Sequence, residues 1–188
     1  GGAENLERAL TGAEIAAVVD EAIAGWAVDG RRVLVVIPDA TRSCPLPAMF
    51  KLVYDRLAPR ARTLNFIVAL GTHPPLGDDE LCRLVGASAS GFKAAYPKAG
   101  LYNHLWKTPG ELVAVGKLSA SDVEQITGGL FSMDVTVTCN RMVNEHDLIL
   151  IMGPVFPHEV VGFSGGNKYL FPGISGKEII DFFHWLGA

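Results

Sequence analysis

Short apolar runs that empty directly into polar residues are the feature that most constrains this chain. RRVLVVIP (31–38), RTLNFIVAL (62–70) and DLILIMG (147–153) are dense in Val, Ile and Leu. Continuous runs of that length, rich in β-branched residues, suit strands buried on both faces. Amphipathic segments separate them. Thr11 followed by Glu14 forms a capping box that opens a helix through AEIAAVVDEAIAGW. LPAMFKLVYDRLA (46–58) reads as a second helix, and GDDELCRLVG (77–86) as a third with acids in its first turn, where they suit the helix dipole. ELVAVGKL (111–118) and MDVTVTCN (133–140) read as further strands, and KEIIDFFHWLG closes the chain as a helix. The stretch 88–110, interrupted by Pro97 and Pro109, reads as irregular. Strands alternating with helices predict an α/β fold with a mainly parallel sheet flanked by helices.

Composition sets limits on partners. The 188 residues suit one domain, or one domain with a small appendage, and 49% of them are apolar. The net charge of −4 comes from interspersed acids and bases, without the basic stripe of a nucleic-acid binder. No apolar run approaches the roughly 20 residues that span a bilayer, and no signal peptide is visible, although the chain starts with Gly-Gly rather than Met. Cys44, Cys82 and Cys139 are odd in number and widely spaced, which predicts free thiols and a reducing, cytoplasmic setting.

The polar residues after the apolar runs are the candidate site. RRVLVVIP meets Asp39-Ala40-Thr41-Arg42, NFIVAL meets Gly71-Thr72-His73, and LILIMG meets Gly153-Pro154 and then His158. In open α/β sheets ligands bind outside the carboxyl ends of the strands. Asp39, Arg42, His73 and His158 are therefore expected along one edge. Arg42 suits a two-pronged grip on a carboxylate or phosphate, with Asp39 to orient it, although the pair also reads as a structural ion pair. Two imidazoles near neutral pH suit proton transfer in either direction.

The Gly-rich stretch beginning at Gly153 adds Ser164-Gly165-Gly166-Asn167, a candidate anion nest or simply a tight turn, then Lys168 and, in the last helix, His184. It matches neither a Walker loop nor HExxH. Gly162-Phe163-Ser164-Gly165-Gly166 matches the G-x-S-x-G elbow, but not directly on a strand and without well-placed partners. A covalent enzyme using Ser164 or Lys168, and a nucleotide- or anion-binding module without catalysis, stay open as alternatives. His104 and His146 read as structural.

Together these residues resemble the nickel-dependent lactate racemase family. The resemblance is carried by DATRSCP (39–45), ALGTHPP (69–75), GPVFPHEVVGFSGGNKYLFPG (153–173) and His184, in that order. It implies a racemase or epimerase of a 2-hydroxy acid that works by reversible hydride transfer to a nickel-pincer nucleotide. It implies that Lys168 anchors the cofactor covalently and that His184 completes the coordination of nickel. Ser164, Gly165 and Gly166, with Asp39 and Thr41, would border the cofactor. His73 and His158 would be alternating acid and base on opposite faces of the substrate, and Arg42 would contact its carboxylate. Pro74 follows His73 where an arginine is expected in lactate-acting members, so the resemblance carries the chemistry and leaves the acid open. It further implies that residues 1–188 are an N-terminal domain whose C-terminal partner domain is missing, that the isolated domain turns over little, and that cofactor and metal are absent unless loaded.

Overall fold

The computed structural model describes residues 8–158 and 162–187. Residues 159–161, inside the Gly-rich stretch, lie outside the described residues.

The chain begins with α1 (Gly12–Ala24), capped as expected by Thr11 and Glu14. Then come β1 (Arg32–Ile37), α2 (Leu46–Leu57), β2 (Thr63–Val68), α3 (Asp78–Leu84), α4 (Ala89–Ala95) and β3 (Ala99–Asn103). β4 (Leu112–Leu118), α5 (Ala120–Ile126), β5 (Val135–Asn140), α6 (Met142–Glu145) and β6 (Leu148–Ile151) follow. A two-residue hairpin, β7 (Pro157–His158) and β8 (Gly162–Phe163), a 3₁₀ turn (Gly166–Tyr169) and α7 (Lys177–Gly187) complete it.

Four strands form a parallel sheet in the order β3-β2-β1-β6. β1 is central, and every residue from Val33 to Ile37 is buried, which is why its sequence is continuously apolar rather than alternating. Val33, Val35 and Ile37 point into the larger core with Phe50, Phe66 and Leu57 of the neighbouring elements. Leu34 and Val36 point the other way, toward Ile67, Tyr169 and Ile174. This two-sided burial confirms the expected α/β architecture. Antiparallel β4 and β5 make a separate two-stranded sheet, with Val135 of β5 packed against Ile179 and Phe182 of α7.

The region 88–110 corrects the irregular reading, since it holds α4 and β3. Ser88 caps α4 by accepting from the Gly91 amide, and β3 pairs with β2 as an edge of the sheet. DLILIMG forms the opposite edge, β6, and Ile151 on it is partly exposed. Among the described residues no helix is long and apolar enough to cross a membrane.

Candidate functional site

In a parallel sheet the carboxyl ends of neighbouring strands lie side by side. Ile37 of β1 is in register with Val68 of β2, so the turns that follow them, 38–42 and 69–73, emerge together. The Ala69 amide donates to the Ile37 carbonyl (2.8 Å), and the Met152 amide after β6 donates to Val36 (2.9 Å). Three successive apolar runs thus deliver their polar residues to one edge.

A cavity of about 110 Å³ opens there. Its wall gathers Asp39, Thr41 and Arg42 from the first turn, His73 from the second, and Ser164, Gly165 and Lys168 from the Gly-rich segment. Gly166 adjoins that wall, while His158 and His184 do not line it. His158 is half-buried in the β7–β8 hairpin, in register with Gly162. His184 is exposed on α7, off the face that buries Ile179, Ile180 and Phe182. Among the described residues no three His, Cys, Asp or Glu side chains gather into a metal site.

Asp39 is buried, and its carboxylate accepts from the Thr41 amide (3.1 Å), the Thr41 hydroxyl (2.5 Å) and His73 Nδ1 (2.7 Å). Burial favours the neutral acid, but the hydrogen bonds from Thr41 and His73 outweigh it and hold the carboxyl below the usual carboxylate range. An ionised Asp39 accepts only, so Nδ1 of His73 carries the proton and Nε2 is left as the base. The His73 ring is about half exposed while Asp39 is not, so the carboxylate is the fixed member and the imidazole the accessible one. The expected orientation of Arg42 by Asp39 is not what is found, because Asp39 is occupied by Thr41 and His73. Arg42 makes no side-chain ion pair among the described residues and lines the cavity.

The Gly-rich segment is shaped by contacts only glycine permits. Gly165 has φ +87°, and a Cβ there would sit 2.5 Å from the Pro154 carbonyl oxygen. Gly166 has φ +53° and nothing within 4 Å of a Cβ position, so its backbone faces open space beside the cavity. Ser164 is tied down: its amide donates to Phe156 O (2.8 Å), and its hydroxyl lies 3.3 Å from both the Phe156 amide and carbonyl. A hydroxyl held by a backbone clamp is a poor nucleophile, which weighs against the Ser164 alternative. Lys168 lies on the 3₁₀ turn, its carbonyl accepting from Gly173 (3.0 Å), and Gly173 O accepts in turn from Gly71 (2.8 Å). The lysine turn and the His73 turn are thereby fastened to each other.

Tyr169 forms part of the same wall and was not read from the sequence as a site residue. Burial pushes its phenol up to about 12, so it stays neutral. A Cβ on Gly153 would lie 2.1 Å from the Tyr169 hydroxyl, so the glycine after β6 exists to admit that ring. The exchange of a bulky ring against a bare glycine was the signal that could have found it. His104 and His146 are structural, as expected. His104 is buried, with Nε2 3.0 Å from Ser175 O, and His146 bridges Met142 O (2.7 Å) and Asn65 (2.9 Å).

Comparison with known proteins gives the family and the fold. The family model for the lactate racemase N-terminal domain matches residues 3–188. The chain belongs to that family. Lactate racemase from Lactiplantibacillus plantarum is 27% identical over 151 residues, covering 79% of this chain and 31% of that protein. Lactate racemase from Thermoanaerobacterium thermosaccharolyticum is 23% identical over 152 residues, covering 80% of this chain and 31% of that protein. This member of the lactate racemase N-terminal domain family thus spans about a third of the length of those relatives. Its fold matches the crystal structure of a protein from Thermotoga maritima with a TM-score of 0.81 at 29% identity, over 95% of this chain and 42% of that one. It also matches the lactate racemase apoprotein from T. thermosaccharolyticum with a TM-score of 0.62 at 20% identity, over 88% of this chain and 38% of that one, a likeness of fold.

Proposed function

We propose that this chain is the cofactor-binding part of an enzyme that inverts the carbinol carbon of a 2-hydroxy acid. One observation carries the reading: the Asp39-held imidazole of His73, the guanidinium of Arg42 and Lys168 share one cavity at the sheet edge. Those are a base, a carboxylate anchor and an amine, each placed by a different turn.

The residues fit a nickel-pincer nucleotide in part. Glycines 165 and 166 leave the rim bare enough for a flat group to approach. The cavity of about 110 Å³ admits a small acid or the reactive face of a ring, and the rest of a nucleotide would extend along that rim. Lys168 would anchor the group and His184 would ligate its nickel through imidazole, a donor suited to that metal. When bound, such a group would supply the hydride chemistry needed at the carbinol carbon.

The chain's own residues supply the remainder. Arg42 binds the substrate carboxylate, and His73 Nε2 takes the hydroxyl proton on one face while Asp39 stabilises the resulting imidazolium. His158, on the hairpin that the Ser164–Phe156 clamp anchors beside the cavity, performs the same transfer on the other face. A planar intermediate explains the need for two bases. Because the relatives are far longer than this chain, the complete reaction is assigned to the longer protein, and the isolated chain is expected to turn over little.

The test is intact-mass and metal analysis after co-expression with the enzymes that make the cofactor. The expected result is an adduct that maps to Lys168, is lost in Lys168→Arg, and carries nickel that His184→Ala weakens. An unmodified Lys168 under those conditions would overturn the reading.

A further inference from the structure

His73 is a wall shared by two cavities. The first holds Asp39, Arg42 and Lys168. The second, of about 340 Å³, lies beyond the histidine between its own turn and the segment after β3. We infer that this second cavity receives the substrate's side chain, and that the substrate is a 2-hydroxy acid bearing a large uncharged apolar group, aryl or branched alkyl.

The inference rests on the proposed function above and deepens it. In that reaction His73 meets the hydroxyl of the carbinol carbon and Arg42 holds the carboxylate. The side chain is attached to the same carbon, so it must pass within a few bonds of the His73 ring. The space available there is the second cavity.

Its chemistry is that of an apolar pocket. Pro74 and Pro75 contribute no backbone N–H. Leu105 and Trp106 supply apolar surface. His104 offers no spare nitrogen, since Nε2 faces Ser175 O at 3.0 Å and Nδ1 faces Asn140 at 3.4 Å. Lys107 is the cation at this cavity, and its ammonium lies 4.9 Å over the Trp106 ring rather than standing free for a second carboxylate. Size agrees: apolar cavities of about 150 Å³ hold a benzene ring. A methyl group would leave most of a 340 Å³ space to water.

The experiment compares the cofactor-loaded longer protein, to which the complete reaction is assigned, on lactate, 2-hydroxyisocaproate, 3-phenyllactate and malate, reading kcat/KM and the tryptophan emission on binding. Phenyllactate and hydroxyisocaproate are expected to exceed lactate at least about tenfold in kcat/KM, on the scale of a filled against an unfilled apolar pocket. Phenyllactate is expected to change an emission component that Trp106→Phe removes. Trp106→Ala should cut the preference for phenyllactate over lactate at least about tenfold. Pro74→Arg, at an exposed position, should cut it similarly and guards against misfolding of the first variant. A preference for malate, or a ratio unmoved by both variants, overturns the side-chain assignment alone, provided Arg42→Ala still abolishes turnover of every acid. Absence of turnover and binding for all four acids overturns the racemase reading with it.

Discussion

Asp39 shows how one buried carboxylate sets the state of an exposed base. Replacing it with asparagine keeps the shape but lets either ring nitrogen of His73 carry the proton. In the longer protein carrying out the proposed reaction we expect Asp39→Asn to lower kcat on the order of 10²-fold, the lower range of what a positioned proton-transfer group contributes. We also expect it to shift the pH profile, which a merely structural change would not do. The same residue links stability to acid. Its folded pKa lies below the unfolded value, so its contribution is complete above the ordinary aspartate range of about 3.9 and is lost as pH falls through the folded value. Denaturant unfolding at pH 7 and near pH 3 should therefore show a smaller acid loss for Asp39→Asn than for the native chain.

At the scale of elements, the site depends on turns rather than on strands. Gly173 donates to Lys168 O and accepts from Gly71, and a Cβ on it would lie 2.3 Å from the Tyr169 carbonyl oxygen. That neighbour is backbone and cannot swing away. Gly173→Ala is expected to cost about 1–3 kcal/mol or more, as overpacking does, whereas Gly166→Ala, in open space at φ +53°, should cost only the left-handed strain of about 1–2 kcal/mol. Chemical denaturation of the two variants compares them. The elements around these turns were largely legible. β1, β2 and β6 announced themselves because burial on both faces, or along an apolar edge, demands unbroken Val, Ile and Leu. β3 did not, because AGLYN is a half-exposed edge with Gly100 in it and a proline two residues before. α4 buries only Phe92, and α5 only Val123, so neither carries a helical stripe; their Ser88 and Ser119 caps were the available signals. Within the site, strand ends predicted the convergence of Asp39, Arg42 and His73. They could not give the pairing of Asp39 with His73 instead of Arg42, which depends on how two turns face each other. Nor could they give Tyr169, whose place follows from packing over Gly153.

Across the whole molecule, the thiols report on packing. All three cysteines are free, and burial raises each thiol, Cys139 to about 11. Thiolate is the reactive form, so a thiol reagent at neutral pH should label Cys44 and Cys82 slowly and Cys139 only on global unfolding. Labelling of Cys139 that keeps pace with the other two would show that β5 opens separately from the parallel sheet. The hydrogen bond from Gly71 to Gly173 joins a turn made early in the chain to one made near its end. Closing so distant a contact comes late in folding. A nascent or stalled polypeptide therefore cannot set the turn of Lys168 against the turn of His73, and the proposed cofactor would meet both only after residues 166–173 have folded back.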